Sequence, residues 1–310
     1  MSESIRVFAS ATVANVACGF DILGFAVNAP GDEVILKKKN TPGVTISQIT
    51  GDGGRLSLNS QENTVGVAVL QYLNKIGSDQ GIDITLHKKM PFGSGLGSSA
   101  ASAVAGAFAI NELLGGSLST EELLPFAIEG ERIACGSAHA DNVAPSLFGG
   151  FVLIRSYQPL DVVRINTPPE LYCAIIHPQI EVPTKEARNI LKKNIRMEDA
   201  ITQWGNVAGL IAGLMQSDYA LIGRSLQDVI VEPVRSILIP GFEKVKQASL
   251  QTGALGCGIS GSGPSIFSLC RGQETAVQVG KAKQQIFEQL GIGCEVYTSQ
   301  INQQGPVILE

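Results

Sequence analysis

The stretch Pro91-Phe-Gly-Ser-Gly-Leu-Gly-Ser-Ser-Ala-Ala101 places three glycines and three serines within the seven positions from Gly93 to Ser99. A strand-like segment, Ile82–His87, precedes it, and a small apolar run, Ala100–Ile110, follows it. A strand, a glycine-rich loop and a helix in this order present free backbone N–H groups at the positive end of a helix dipole, where phosphate binds well. Glycines also let the backbone come close to a polyphosphate. The stretch therefore predicts a nucleotide-binding loop.

The spacing of this loop excludes two common nucleotide-binding motifs. A P-loop requires lysine after its last glycine, but Gly97 is followed by Ser98. The dinucleotide fingerprint requires a third glycine where the chain has Ser98 or Ala100. A plain glycine-serine turn into a packed helix stays open as an alternative. Serines at a helix start favour binding, because their hydroxyls can cap the helix or ligate a metal.

Length and charge limit the class of protein. A chain of 310 residues can hold two domains with two cores. Charged residues make up 16%, below the ~25% typical of soluble domains. A formal charge of −5 gives no basic footprint for nucleic acid. An anionic ligand must therefore be held locally, by lysines, arginines, backbone amides or a metal.

The sequence also predicts a cytoplasmic location. No apolar run reaches the ~18 residues of a membrane span, and Met1–Arg6 lacks the basic and apolar blocks of a signal peptide. The six cysteines are scattered, without a Cys-x-x-Cys pair, at positions 18, 135, 173, 257, 270 and 294. We expect reduced, mostly buried thiols and a protein that contacts neither membrane nor nucleic acid.

Hydrophobic periodicity and turn signals predict an N-terminal domain over 1–157 and a C-terminal domain over 158–310. The expected strands of the first are Arg6–Ala11, Glu33–Lys38, Thr45–Ile49, Ile82–His87 and Phe151–Ile154, and its helices begin near Asn63, Ser98 and Ser119. In the second, the expected strands are Leu171–His177, Gly256–Ser260, Ser265–Cys270 and Cys294–Thr298, and the main helices are Met197–Leu214, Tyr219–Leu226, Phe242–Gln251 and Glu274–Leu290. Antiparallel strands with helices on one face predict an α+β, ferredoxin-like second domain.

Isolated polar residues in apolar surroundings are the candidate ligand contacts. Asn15 and Asp21 must find partners when buried, and each could be a structural staple or a ligand contact. Asn63 is placed as a helix cap that could also lie beside a nucleotide base. His139, Asp141 and Asn142 come together in what we interpret as a short turn between Gly136 and Gly150. Three convergent polar groups between small residues favour a functional site over a turn-stabilising role.

Two arginines, Arg188 and Arg235, lie in apolar stretches where arginine is scarce. Each could hold a carboxylate through a bidentate fork. Taken alone, each is better explained by a salt bridge at the surface or between domains.

Three motifs in order resemble the GHMP superfamily of small-molecule kinases, which includes galactokinase, homoserine kinase, mevalonate kinase and phosphomevalonate kinase. They are Ala11-Thr-Val-Ala-Asn-Val-Ala-Cys-Gly-Phe-Asp-Ile-Leu-Gly24, the loop Pro91–Ala101 and Gly258-Ile-Ser-Gly-Ser-Gly-Pro-Ser265. The resemblance spans nearly the whole chain. It implies a two-domain α+β fold, with an N-terminal domain like domain 2 of ribosomal protein S5, containing a left-handed βαβ unit, and a ferredoxin-like C-terminal domain.

Within the superfamily the chain most resembles the homoserine kinases. The deciding pieces are Asn15 with Gly19-Phe-Asp21, His139-Ala-Asp-Asn-Val-Ala-Pro145, Thr184-Lys-Glu-Ala-Arg188 and Glu232-Pro-Val-Arg235. Sugar and mevalonate kinases pair a lysine in the first motif with a catalytic aspartate. Here no lysine lies between Arg6 and Lys37, so that pair is absent, and Cys18 replaces a residue that is commonly leucine. The implied reaction is ATP-dependent phosphorylation of the L-homoserine hydroxyl, a step of threonine biosynthesis.

The resemblance implies roles for individual residues. The ATP phosphates would lie on a loop made of Pro91, Phe92, Gly93, Ser94, Gly95, Leu96, Gly97, Ser98, Ser99, Ala100 and Ala101. Asn63 would lie near the adenine, and Ser99 and Glu131 would ligate Mg2+. Homoserine would contact Asn15, Asp21, His139, Arg188 and Arg235, with Asp21 on the ammonium and the arginines on the carboxylate. Asn142 would reach the γ-phosphate or the reacting hydroxyl, and a homodimer is implied.

Phosphoryl transfer depends mainly on positioning and on neutralising charge. Whether Asp141 takes the hydroxyl proton stays open, because the resemblance is also compatible with proton transfer to the phosphate. Two other functions remain possible: a kinase of another small alcohol, and a catalytically silent metabolite sensor on the same fold. Missing ammonium and carboxylate anchors would favour the kinase of another alcohol. Loss of Ser99, Glu131 or the loop glycines would favour the silent sensor. All of these residues are present.

Overall fold

The computed structural model describes residues 3–136 and 139–309. Within these ranges the chain forms two sheets with helices packed against them. The strands are β1 Ser4–Ala14, β2 Leu23–Lys39, β3 Val44–Thr50, β4 Gly81–His87, β5 Phe151–Tyr157, β6 Leu160–Ile165, β7 Leu171–Pro178, β8 Gly256–Ile259, β9 Ile266–Arg271, β10 Cys294–Gln300 and β11 Val307–Ile308.

Helices carry most of the remaining described residues. They are α1 Thr64–Ile76, α2 Ser98–Leu113, α3 Thr120–Cys135, α4 Ala140–Phe148, α5 Thr184–Asn189, α6 Met197–Gln216, α7 Tyr219–Ser225, α8 Glu232–Arg235, α9 Phe242–Gln251 and α10 Gln273–Gln289, with a 3-10 turn at Ser236–Leu238. In the part of the chain that the structure covers, none of these helices has the length and apolarity to cross a membrane.

The larger sheet has the order β11-β1-β2-β4-β3, and β5 and β6 extend it from β2. Its strands pair antiparallel except β3 and β4, which are parallel and joined through α1. They form the expected βαβ unit, whose handedness stays a prediction. The second sheet has the antiparallel order β10-β7-β9-β8. With helices α5 to α9 between β7 and β8 and α10 between β9 and β10, this is the ferredoxin-like arrangement that the sequence predicted.

Helix α2 lies at the centre of the first layer, where it contacts β1, β2, α1 and α3. Its sequence, rich in alanine, explains that place. Ala100, Ala103, Ala107 and Ile110 are fully buried, and small side chains let a helix approach neighbours on every side. The loop that precedes α2 is therefore fixed to the most deeply packed helix of the domain.

The predicted domain boundary at 157/158 stays a prediction. Two strands from beyond this boundary join the larger sheet. Strand β6, Leu160–Ile165, pairs with β5 in the larger sheet. The last strand, β11, returns to pair with β1. Strand β5 at Phe151 therefore has a further antiparallel neighbour, β6, that lies beyond the predicted boundary.

The predicted turn between Gly136 and Gly150 is also wrong, because Ala140–Phe148 is the helix α4. The small residues and Pro145 suggested a turn, but Val143, Ala144 and Leu147 are buried and form an apolar face. Asp141 lies in the first turn, where a carboxylate suits the helix dipole. Ser137 and Ala138, part of the same prediction, lie outside the described residues.

Candidate active site

A cavity of about 370 Å3 lies between the glycine-rich loop, the end of α3, the start of α4 and the arginines of α5 and α8. The structure brings nearly all of the residues singled out from the sequence to this cavity. Ala100 and Ala101 are the exceptions among them, because they are buried inside α2 and do not line it. Side chains that are distant in sequence, from Asn15 to Arg235, therefore surround one space.

The glycine loop is held open by backbone geometry. Gly93, Gly95 and Gly97 have φ of 61°, 73° and 68°, in the left-handed region that favours glycine. Gly97 caps α2, and a Cβ there would lie 2.1 Å from Thr12 Oγ1 and 2.8 Å from Asn142 Oδ1. The loop thus needs glycine at Gly97 both for its conformation and for space.

A second glycine-rich loop, between β8 and β9, packs against the back of the first. Ser260 Oγ donates to the Gly95 carbonyl at 2.7 Å, and Ser265 N donates to the Ser94 carbonyl at 3.2 Å. A Cβ on Gly95 would lie 2.3 Å from the Ser260 carbonyl oxygen. These contacts occupy carbonyl oxygens of the loop, whereas the buried Ser94 hydroxyl is left without a hydrogen-bond partner.

Beneath the start of α2 lies a buried ion pair that the sequence reading missed. Lys88 Nζ contacts Asp32 Oδ2 and donates to the Ser98 carbonyl and to Ser102 Oγ, both at 2.8 Å. Asp32 also accepts from Ser98 Oγ at 2.8 Å. Burial lowers the pKa of Lys88, and the neighbouring Asp32 raises it. The signal in the sequence that could have revealed this ion pair is Lys88, between a strand and the glycine loop. Its partner, Asp32, is 56 residues away.

The predicted metal ligands approach from two helices. Ser99 lies in the first turn of α2, and Glu131 lies on α3. Both line the cavity, and Glu131 is 3% exposed. A hydroxyl and a carboxylate are hard oxygen donors of the kind that Mg2+ takes together with phosphate oxygens. Among the residues that the structure covers, no group of three or more His, Cys, Asp and Glu side chains could hold a metal.

Asn63 has a structural role that the sequence predicted. Its side chain accepts a hydrogen bond from Val65 N at 3.3 Å, as the cap of α1, and donates to the Ser57 carbonyl at 2.9 Å. It also lines the cavity near Leu56 and Phe92. This apolar wall beside the loop suits the face of a base.

The opposite end of the cavity is charged. Arg188 forms a bidentate salt bridge with Asp21, with N–O distances of 2.8 and 3.0 Å. Arg235, 4% exposed, donates to the carbonyls of Ala187 and Gly261, both at 3.0 Å. Its guanidinium lies 5.0 Å from the ring centroid of Phe20, and that of Arg188 lies 5.5 Å away. Two cations and a carboxylate thus converge around one aromatic ring.

Hydrogen bonds and unusual backbone angles fix Asn15 and Asp21 of the first motif. Asn15 Oδ1 accepts from Asp21 N at 3.0 Å, and Asn15 Nδ2 donates to the Gly261 carbonyl at 2.7 Å. Asn15 and Asp21 have φ of 72° and 61°, conformations that Asn and Asp adopt more readily than other side chains do. Asn15 therefore has the structural role that was one of its two interpretations, and its side chain also lines the cavity.

The polar residues near α4 lie between the two ends. Thr12 Oγ1 donates to Asn142 Oδ1 at 2.9 Å. Burial raises the pKa of Asp141 to about 7, and the negative Asp21 adds to the effect. Asp141 Oδ1 is buried without a hydrogen-bond partner. Burial lowers the pKa of His139, and the positive Arg188 contributes, so the imidazole is mostly neutral near pH ~7.

The described cysteine side chains agree with the expectation of reduced thiols. Cys18, Cys173, Cys257 and Cys270 are free and buried, and Cys294 is half-buried. The side chain of Cys135 lies outside the described residues.

Comparison with known proteins identifies the family to which the chain is similar. Residues 63–150 match the model of the GHMP kinases N terminal domain, and residues 210–289 match that of the GHMP kinases C terminal. A homoserine kinase from Chlorobium phaeovibrioides is 53% identical over 99% of this chain and 100% of its own length. A homoserine kinase from Pyrococcus abyssi is 40% identical over 94% of this chain and 95% of its own.

Solved structures agree with these sequence matches. The crystal structure of homoserine kinase from Cytophaga hutchinsonii superposes with a TM-score of 0.98 at 61% identity, covering 100% of this chain and 98% of that one. A mevalonate kinase from L. major reaches a TM-score of 0.72 at 18% identity, over 97% of both chains. That more distant likeness concerns the fold alone.

Proposed function

The chain belongs to the homoserine kinases of the GHMP superfamily, and we propose that its central cavity holds ATP on the glycine loop and L-homoserine at the charged end. Its reaction is that of the family: the γ-phosphoryl group of ATP passes to the homoserine hydroxyl and gives O-phospho-L-homoserine, a step of threonine biosynthesis. The observation that carries the proposal is the junction, within one cavity, of an anion-binding loop and a set of amino-acid anchors.

ATP is the first substrate, and the loop is suited to its phosphates. Positive φ at Gly93, Gly95 and Gly97 gives the backbone a bend that other residues rarely adopt, and a Cβ on Gly95 or Gly97 would overlap neighbouring atoms. The loop ends at the N-terminus of α2, where the helix dipole favours negative charge. The unpartnered Ser94 hydroxyl supplies a further donor. We assign the adenine to the wall formed by Leu56, Asn63 and Phe92.

Ser99 and Glu131 are the residues that would hold Mg2+. Their oxygens fit a hard cation that keeps few protein ligands beside phosphate. When bound, Mg2+ would supply positive charge that neutralises the phosphate oxygens. Lys88 would position the loop rather than bind a phosphate, because the Asp32 carboxylate and the Ser98 carbonyl already engage its ammonium.

L-Homoserine carries an ammonium and a carboxylate, and the charged end of the cavity is complementary to both. Asp21 would accept the ammonium, and Arg188 and Arg235 would bind the carboxylate through their guanidinium forks. The Asp21–Arg188 salt bridge of the free site then opens, and each partner exchanges one ionic contact for another. Half-exposed Arg188 can make that exchange more easily than Arg235, which is buried and fixed by two carbonyls.

Asn142 and Asp141 lie between the two substrates in this arrangement. Thr12 fixes the orientation of the Asn142 amide, leaving its N–H2 group to reach the γ-phosphate or the reacting hydroxyl. The Asp141 carboxyl has a pKa of about 7, the range that suits a general base at neutral pH. The hydroxyl proton passes either to this carboxylate or to the transferred phosphoryl group.

The turnover of Asp141→Asn distinguishes these two routes. A general base contributes about 10²–10⁴-fold. A loss of that size in kcat, with unchanged KM for homoserine, assigns the proton to Asp141. A much smaller loss rules out a protein base at this position and leaves the phosphoryl oxygen as acceptor.

A coupled assay of ATP consumption tests the whole assignment. We expect turnover with L-homoserine and little or none with serine, threonine, mevalonate or galactose, and we expect EDTA to abolish it until Mg2+ is restored. Preference for mevalonate or galactose would contradict the anchoring by Asp21, Arg188 and Arg235. Binding of ATP and homoserine without turnover of any of the five compounds would indicate a metabolite sensor.

A further inference from the structure

A buried glutamine outside the cavity connects the two segments that carry charged anchors. Gln203 lies on α6 and is 7% exposed, and among the five buried residues of this fully described helix it is the one polar side chain. Its Nε2 group donates to the Cys18 carbonyl at 2.8 Å and to Asp228 Oδ1 at 3.0 Å. Its Oε1 atom accepts from Val229 N at 3.0 Å. Burial of an amide is costly unless it is hydrogen-bonded, and these bonds engage both of its N–H groups and its oxygen.

These bonds allow the Gln203 amide a single orientation. An amide has two donors on its nitrogen and an acceptor on its oxygen. Turning it over would place the oxygen against the Cys18 carbonyl and the Asp228 carboxylate, and the N–H2 group against the Val229 N–H. All three contacts would become repulsive. The side chain therefore holds the backbone at Cys18 and the carboxylate of Asp228 at a fixed separation.

Asp228 determines where α8 begins. Its Oδ1 atom accepts from Ile230 N and Val231 N, and its Oδ2 atom accepts from Glu232 N, all at 2.9 Å. A carboxylate that accepts from the first N–H groups of a helix fixes the start of that helix. Because α8 is a single turn of four residues that ends at Arg235, its start also fixes the backbone of this arginine.

Cys18 follows a turn whose backbone is unfavourable by itself. The three residues before it, 15–17, have φ of 72°, 42° and 57°. Left-handed backbone is unfavourable for residues other than glycine, most of all for a β-branched residue such as Val16. Such conformations persist where the surrounding structure holds them. The hydrogen bond from Gln203 to the Cys18 carbonyl is one such restraint, and it lies three residues before Asp21.

A second link joins the same two segments at the cavity itself. The Gly261 carbonyl accepts from Asn15 Nδ2 at 2.7 Å and from Arg235 Nη1 at 3.0 Å. One link alone would leave the segments free to rotate about it, whereas two links fix their relative position. Gln203 provides the more distant link, because it is not among the residues that line the cavity in the described structure.

We propose that Gln203 is a positioning residue for homoserine, because its amide sets the separation between the anchors Asp21 and Arg235. The proposal rests on the proposed function, which assigns the ammonium of the substrate to Asp21 and its carboxylate to Arg235. A single carbon separates these two groups in an α-amino acid, so both contacts form only at one spacing of the anchors. Misplacement of a binding group by about 1 Å can lower the rate of an enzyme by about 10²-fold.

The kinetics of Gln203→Met test this role, because methionine has a similar length but forms no comparable hydrogen bonds. We expect the KM for homoserine to rise by about 30-fold, kcat to fall by less than about threefold and the KM for ATP to change by less than about twofold. Gln80→Met is the matched control, because Gln80 Nε2 also donates to two backbone carbonyls, those of Lys39 and Gly81, and does not line the cavity. It should leave both KM values unchanged.

A double-mutant cycle separates a positioning role from a merely structural one. In an Arg235→Met background the spacing of the two anchors no longer matters. Adding Gln203→Met should then lower kcat/KM for homoserine by less than about threefold more. A second full loss of about 30-fold would overturn the proposal. So would a Gln203→Met variant with an unchanged KM for homoserine, or one in which the KM values for homoserine and ATP rise together.

Circular dichroism melts show whether the variants fold. If Gln203→Met does not fold, Asp228→Asn takes its place, because it keeps the bond from Gln203 to Cys18 and removes the acceptor of Glu232 N at the start of α8. It should raise the KM for homoserine by about tenfold and leave the KM for ATP unchanged. An unchanged KM for homoserine in this variant would contradict the proposal in the same way.

The wild-type chain separates this proposal from the proposed function. A wild-type chain that does not phosphorylate homoserine would count against the proposed function. Normal turnover of homoserine by the wild type, with unchanged kinetics in Gln203→Met, would count only against the role of Gln203.

Discussion

The two ends of the cavity are built by different means. At the proposed phosphate end, Gly93, Gly95 and Gly97 set the shape of the backbone, and the loop glycines and serines line the cavity. Much of this end comes from one contiguous stretch that is fixed to a buried helix. Its one full positive charge, among the residues described, is that of Lys88, and a carboxylate already neutralises it.

At the substrate end the binding groups are charged side chains from distant segments. Asp21, Arg188 and Arg235 belong to the first motif, to α5 and to α8. Their positions depend on how the chain brings these segments together around Phe20. Two of the three, Asp21 and Arg188, neutralise each other in a salt bridge.

This difference indicates how each end should fail. The phosphate end should tolerate changes of charge nearby but not the addition of a Cβ atom to a loop glycine. The substrate end should tolerate small changes of shape but not the loss of a charge. Substitutions at matched pairs of residues can therefore separate the two.

The largest effect should come from the buried arginine. Arg235→Met should lower kcat/KM for homoserine by about 30- to 5,000-fold, or roughly 2–5 kcal/mol, because a buried charged contact to the substrate is lost. Arg188→Met, in the half-exposed pair, should cost only about tenfold, since water screens that charge. Steady-state kinetics with each substrate varied in turn would measure both.

The KM for ATP is the control for the arginine variants, because neither side chain belongs to the glycine loop. A large rise in that KM would mean that Arg235 acts through the Gly261 loop rather than on homoserine. Equal losses in the two variants would contradict the difference in burial on which this prediction depends.

A backbone change at the phosphate end should follow in size. Gly97→Ala should lower kcat/KM for ATP by on the order of 10²-fold or more, because the methyl group overlaps Thr12 and displaces Asn142 from the reacting groups. Gly93→Ala is the matched control: its φ of 61° is equally left-handed, but a Cβ there meets nothing within 4 Å. We expect it to show only the backbone strain of about 1–2 kcal/mol, mostly as reduced stability. Similar kinetic losses in both variants would show that strain, not the contact with Thr12, matters.

The same contrast explains how far the sequence could predict the site. The glycine loop was predictable because a contiguous stretch carries both its conformation and its helix, and the antiparallel second sheet followed from alternating strands and their turns. The pairing of Arg188 with Asp21 was not predictable, because 167 residues separate them and the contact is created by tertiary packing. Lys88 was missed for the same reason.

Local sequence was also misleading near α4. Pro145 and several small residues are typical of a turn, but burial of Val143 and Leu147 stabilises a helix through that proline. Likewise β6 lies beyond the predicted domain boundary but pairs with β5. The β5–β6 hairpin thus extends the larger sheet past the predicted boundary. In both regions tertiary packing overrides a local signal.

A third prediction concerns the carboxyl between the two ends. The pKa of Asp141 is raised by burial from its usual 3.8 to about 7, so the folded protein binds this proton more tightly than the unfolded chain does. The associated stability is present below the unfolded pKa and is lost as pH rises through about 7. Asp141→Asn should therefore raise the free energy of unfolding by about 4 kcal/mol at about pH 8 and hardly change it at about pH 4. Urea unfolding at both pH values measures the difference, and a pH-independent effect would contradict the assigned cause.

The smallest effect should come from the helix that carries Glu131. Ser119 and Glu122 form a capping box at the start of α3: Glu122 N donates to Ser119 Oγ at 3.4 Å, and Ser119 N donates to Glu122 Oε2 at 2.9 Å. Ser119→Ala should lower the free energy of unfolding by about 1 kcal/mol. Ser78→Ala, which removes an acceptor for Gln80 N in the half-buried segment after α1, should change this free energy by no more than about 0.5 kcal/mol. Because the cap lies three turns from Glu131, the Mg2+ dependence of turnover should be unchanged in both variants, and a shift in Ser119→Ala alone would mean that the position of α3 sets the metal site.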